Sequence, residues 1–273
     1  MVIEWKKAFS RPEIYFIILM GALVAVIGLL EAASSTLVSH RADSYYSAYQ
    51  AALALGGDTA EYFAIFLLPL FAALPYGDGY FVERRSGVHL LGLTRRGRLR
   101  YFAGQAFTAW GLAVIAVAIP YVISQLLCLI AFPTQRILDM NASANVYDLE
   151  AFFEAAGNPG MVLFLNHPLL RNIRHTLYAC FYGGGIALMA YGLTLYIHKN
   201  RALALLLPAA IVYAMVLFGN MLFGPAGSLP LGIVYGANYP IASFGPMVAA
   251  IGVIYGGSIA AIAAKCLWDK DVL

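Results

Sequence analysis

Charged side chains are the scarcest feature of this chain: only 11% of its 273 residues are Asp, Glu, Lys or Arg, against 62% hydrophobic. A water-soluble domain of this size needs far more charge to coat its surface, so the apolar excess must face lipid. The net charge of +3 is too small to suggest a nucleic-acid partner. Cysteine is sparse as well. Cys128, Cys180 and Cys266 lie in or beside apolar runs without metal-type spacing and read as small buried hydrophobes. The five histidines form no metal-type cluster. His167 and His175 share one segment, but Pro168 interrupts it, so no metal site is expected. Ser124 and Ser243 have no evident base, and no catalytic residue or enzymatic activity is expected. There is no G-x-x-x-x-G-K-[ST] phosphate loop. Gly183-Gly184-Gly185 lacks a following lysine and reads as a site of close helix packing or bending. The chain is therefore expected to hold no cofactor, and energy for any active transport must come from a partner or an ion gradient.

What is present is a series of long apolar runs. Their lengths predict an all-α membrane protein with six transmembrane helices, at about 14–30, 62–80, 101–132, 176–197, 202–223 and 241–264. Ahead of the first, residues 1–11 predict an interfacial helix, with Val2, Trp5 and Phe9 on one face and Glu4, Lys6 and Lys7 around it. Ser10-Arg11-Pro12-Glu13 reads as a capping box with proline in the first turn. The run after it is longer than a usual signal-peptide core, so it is expected to be retained as a helix. Pro69 and Pro75 should kink the second span. Pro120 lies inside the third, which is longer than a bilayer requires.

Basic residues orient the stack. With the N-terminus inside, thirteen of the seventeen Lys and Arg are cytoplasmic, and only Arg41, Arg136, Arg171 and Arg174 are outside. The positive-inside rule thus places both termini in the cytoplasm, of a bacterial plasma (inner) membrane. The external segments are 31–60, with a short amphipathic helix around Tyr45, Tyr46 and Tyr49, and 133–175, with a helix around Asp148–Glu154.

Ionisable residues within the spans are few. Asp78, between Gly77 and Gly79 and just after Pro75, lies near the inner end of the second span. It reads as a structural or gating residue that reaches interfacial water or pairs with nearby arginines, or as a proton or substrate site, with Pro75 beside it. In the last span Gly252, Gly256, Ala260 and Ala264 recur every four residues. They form a small-residue face for close helix contact, with packing inside this chain slightly favoured over a second copy.

The loop at 83–100 is the most informative segment. Arginines bracket a short apolar stripe: Glu83, Arg84, Arg85, Gly87, Val88, His89, Leu91, Arg95 and Arg96. On composition alone it could be an ordinary positive loop meeting anionic lipid. The run E-x-x-x-G-V-x-x-L, then T-R-R, then Y-x-x-G ending at Gly104 resembles the intracellular loop of type-2 ATP-binding-cassette (ABC) exporter permeases. Gln105 stands where that family has lysine, and the usual proline before the basic pair is absent. The interfacial helix, six spans, inward termini and large loop after span three fit the same family. Lys199-Asn200-Arg201 followed by Pro208 is similar to the turn into span five of bacteriocin-immunity and peptide- or drug-exporting members. The resemblance implies a non-catalytic permease domain over 1–273 that pairs with a second permease, identical or related. It implies docking on a separate dimeric ABC ATPase that binds ATP and Mg, with about Glu83–Leu93 as the coupling helix. The implied cargo is an amphipathic or hydrophobic peptide antibiotic or drug, linking the chain to resistance or immunity. A lipid-modifying intramembrane enzyme and a non-transporting sensor or scaffold subunit are the competing readings.

Overall fold

The computed structural model describes residues 2–38, 47–49, 51–53, 59, 62–134, 163, 166–197, 200–223 and 244–268. These are helical, with no strand among the described residues. The elements are α1 (Val2–Phe9), α2 (Pro12–Val38), a π-helical turn (Phe63–Leu67), α3 (Leu68–Ala73), α4 (Gly79–Arg85), α5 (Val88–Arg96), α6 (Arg98–Ala131), α7 (Pro168–Thr194), α8 (Arg201–Phe223) and α9 (Phe244–Trp268). Three of them, α2, α6 and α7, are long and apolar enough to cross a membrane. Large apolar side chains cover their outer surfaces, as on α2, where Tyr15 and Leu19 are about two-thirds exposed. Water would oppose such a surface and lipid tails would not.

The centre is the pair α6 and α7. α2 packs on α6, whereas α3, α8 and α9 pack on α7. The three glycines of α7 make that arrangement possible. A Cβ on Gly183 would sit 2.7 Å from Val117, one on Gly184 2.5 Å from the Trp110 indole nitrogen, and one on Gly185 2.7 Å from Tyr255. The helices approach this closely because no side chain separates them, which maximises dispersion contact. The seam is then fastened by polar groups. Trp110 Nε1 donates to Tyr255 Oη at 2.9 Å, and Tyr255 donates onward to the Phe181 carbonyl at 2.6 Å.

The second predicted span is not one helix. The π-turn over 63–67 passes into the short α3, which gives way to a turn at 74–78 before α4 starts at Gly79. Pro69 has no N–H to donate to residue 65, and its ring would crowd that carbonyl, so the chain widens there instead of kinking smoothly. Pro75 lies buried within the turn. The fourth span also starts earlier than expected. Pro168 occupies its first turn, where proline is favoured, and the helix takes in residues 168–175 from the expected external loop. The first helix likewise continues past Leu30 to Val38.

Two packing expectations change. Ser10 forms no capping box: its hydroxyl donates back to the Lys7 carbonyl at 2.8 Å, while Glu13 turns to Arg201. The Trp5 ring rests on Gly111 of α6. In α9 the small-residue face lies open among the described residues. Gly252, Gly256 and Ala260 are exposed, and α9 meets α7 through Ile254, Tyr255 and Ser258. The aromatic side chains of Trp110 and Phe181 claim that other face. Of the short helix expected around Tyr45, Tyr46 and Tyr49, residues 47–49 and 51–53 are described and form turns and bends, and the helix expected around Asp148–Glu154 lies outside the described residues.

Candidate functional site

A set of charged side chains meets at one end of the bundle, where α1 ends, α2 and α8 begin, and the 74–78 turn meets α4. Asp78 sits in that turn with no exposed surface. Arg11, just ahead of α2, donates from Nη1 to Asp78 Oδ1 at 2.7 Å, and its guanidinium lies 4.7 Å over the Tyr76 ring. Arg201, the first residue of α8, donates from Nε to the other carboxylate oxygen, Asp78 Oδ2. Its Nη2 also donates to Glu13 Oε1 at 2.8 Å. Arg201 is aimed there because Asn200 caps α8, its Oδ1 accepting from Ala202 N at 3.0 Å. One buried carboxylate therefore ties three segments far apart in sequence. Charge pairing of this kind compensates its desolvation.

One turn further along α4, Glu83 anchors a second network and is only 7% exposed. Lys7 donates to Oε1 at 2.9 Å, while Tyr101 Oη and Gln105 Nε2 donate to Oε2 at 2.6 and 2.7 Å. Tyr191 of α7 closes the network by donating to Gln105 Oε1 at 3.1 Å. The carboxylate is thus fully engaged by α1, α6 and, through Gln105, α7.

From this base projects α5. Left-handed glycines bracket it, Gly87 at φ 74° and Gly97 at φ 73°, a conformation costly for any residue with a Cβ. Leu93 is buried, and Gly92 lets the helix lie flat on Tyr101, whose ring atom would be 2.5 Å from an added Cβ. His89 is half-buried and edge-on to Tyr80 at 6.1 Å. The other face is open: Val88, Leu90 and Leu91 are 40%, 48% and 60% exposed, with Arg84, Arg85 and Arg95 exposed beside them. The side chain of Arg96 lies outside the described residues.

The sequence-derived site thus divides in two. Glu83–Leu93 is not a single helix. It breaks at Ser86-Gly87 into the end of α4 and most of α5. Glu83 points into the bundle and not toward a partner, because Tyr101, Gln105 and Lys7 converge on it. Val88, Leu91, Arg84, Arg85 and Arg95 stay at the surface. Of the two surroundings left open for Asp78, interfacial water or arginines, the structure shows arginines, Arg11 and Arg201. Tyr101, Gln105 and Tyr191 were missed as members of the site. Tyr101 and Gln105 lie four residues apart in an apolar helix, one turn above each other, and a glutamine inside such a run was the available signal. Among the described residues no group of His, Cys, Asp and Glu could hold a metal ion. Comparison of the chain with family models, with curated proteins and with solved structures gives no match.

Proposed function

We propose that the chain is the membrane-spanning subunit of an ABC exporter, with six membrane crossings and both termini in the cytoplasm. A separate ATPase drives it, and it moves an amphipathic or hydrophobic molecule outward. The observation that carries this reading is α5, a short helix whose Val88, Leu90 and Leu91 are exposed at the charged end of the bundle. It is bolted to the bundle through Leu93, Gly92 and the adjoining Glu83 network. Such an element transmits force: a push on α5 reaches α4, Glu83 and Asp78, and through them the starts of α2 and α8. The exposed Val88, Leu90 and Leu91 supply apolar anchors for a groove, and Arg84, Arg85 and Arg95 fix register against an acidic rim. Membrane lipid and a second permease, the same chain or a related one, complete the assembly.

The test is co-purification. The full-length chain should bring down an ATPase subunit, and Leu91→Asp should abolish that association while the chain still inserts and folds. ATP-stimulated transport should fall with it. An ATPase that binds a version lacking 88–96 equally well would refute the coupling role. A complex that hydrolyses ATP with no substrate flux would favour a sensor or scaffold.

A further inference from the structure

Most of the apolar surface of α8 faces outward. Leu203 and Leu206 in its first two turns are about half exposed, and Leu217, Phe218 and Met221 further along are more exposed still. The residues that it buries are compact: Ala204, Pro208, Ala209 and Val212. Side chains this short interdigitate little with α3 and α7, the helices that α8 packs on, so dispersion alone holds it weakly. Its polar bonds to neighbouring elements therefore weigh more than they would on a helix sunk in the core.

Two such grips stand out. At the start of α8, Arg201 donates to Asp78 and Glu13. About 18 Å further along the helix, Tyr213 Oη donates to the Phe66 carbonyl of the π-turn at 2.8 Å, with the two rings 5.9 Å apart. Between the grips lies Pro208, inside the helix. Proline has no N–H for the Ala204 carbonyl and its ring crowds that oxygen, so the helix bends most easily there. Residues 201–207 thus form a two-turn arm. Arg201 holds its free end, and Pro208 joins it to a part that Tyr213 anchors.

The free end is built for release. Arg201 is nearly half exposed, whereas Asp78 has no exposed side-chain surface and holds Arg11 on its other oxygen. When Arg201 lets go, Asp78 keeps Arg11 and the freed guanidinium meets water, so neither charge is stranded. We propose that residues 201–207 are a hinged arm in which Arg201 is the latch, Pro208 the hinge and Tyr213 the fixed anchor. Release of the latch parts the start of α8 from the start of α2 and uncovers Asp78 Oδ2 between them. The charged end of the bundle then has two settings, closed and open, without any change in α6 or α7. The device does not rest on the transporter reading, because it needs neither ATPase nor cargo.

Pulsed electron spin resonance on the full-length chain in maltoside micelles tests this. Spin labels are placed at exposed positions, Leu203 and Ile130 as one pair and Leu217 and Ile130 as the other. Cys266 is changed to Ser, and the buried Cys128 and Cys180 stay in place. The parent should show one dominant Leu203–Ile130 distance and a second populated at about 10%. Arg201→Gln should raise the second to about half, roughly a tenfold change in the equilibrium, and leave the Leu217–Ile130 distance as it was. Adding Pro208→Ala restores an N–H for the Ala204 carbonyl and should return the second distance to its parent level. An arginine that served stability alone would not be compensated by stiffening the helix two turns away. If Arg201→Gln does not fold, Arg201→Lys takes its place with the same expectation, since it keeps the charge but loses the fork that spans Asp78 and Glu13. An unchanged Leu203–Ile130 distance in the Arg201 variant, a second distance that survives Pro208→Ala, or both pairs broadening together overturns the proposal.

Discussion

Removing the two arginines that hold Asp78 should destabilise the protein by more than the sum of the single changes. Arg201 is nearly half exposed, with 46% of its side chain accessible. Its loss leaves Asp78 still paired with Arg11, so Arg201→Ala should cost about 1 kcal/mol, in the range of solvent-screened pairs. The Arg11 side chain is only 17% exposed and also covers the Tyr76 ring, so Arg11→Ala should cost about 2 kcal/mol. The double variant strands a carboxylate of zero exposure, which must either stay charged and unpaired or take up a proton. Its cost should reach roughly 5 kcal/mol, leaving about 2 kcal/mol beyond additivity. Asp78→Asn in the double background should recover most of that excess, because the amide needs no counter-ion. The assay is unfolding in detergent micelles followed by tryptophan fluorescence, run as a three-way cycle. Strict additivity, or no rescue by Asp78→Asn, would refute the claim that Asp78 is held by charge compensation.

Other outcomes follow from the same structure. Glu83→Ala should cost about 3 kcal/mol by leaving the Tyr101 O–H and one Gln105 N–H without their acceptor, whereas Glu83→Gln should cost about 1, measured by the same unfolding assay. Gly184→Val drives a side chain into the Trp110 ring and should lower stability by about 2 kcal/mol, with the tryptophan emission shifted. Gly87→Ala meets no steric neighbour but must hold φ 74°, so the expected loss is about 1 kcal/mol, read as a lower thermal midpoint. Leu91→Asp replaces a 60% exposed side chain and should leave the unfolding midpoint unchanged while abolishing capture of an ATPase.

The apolar runs, the scarcity of charge and the clustering of basic residues were legible because they reflect solvent alone: a helix facing lipid must be apolar whatever packs beside it. Helix bounds on α6 and α8 followed closely for the same reason. The glycine triplet of α7 was recognisable as a packing device because only missing side chains permit such an approach. What tertiary structure decided was every partnership between distant segments. Nothing in the spacing of Arg11, Asp78 and Arg201 says that they meet, since helix crossing alone brings positions 67 and 123 residues apart together. The inward turn of Glu83 was equally hidden, because an acidic residue beside two arginines reads as loop surface until Tyr101 and Gln105 are seen waiting for it. The broken second span and the early start of α7 depended on how proline's missing N–H was accommodated, a local choice that the surrounding helices settle. Sequence fixes which surfaces avoid water; packing fixes which polar groups must find one another once water is gone.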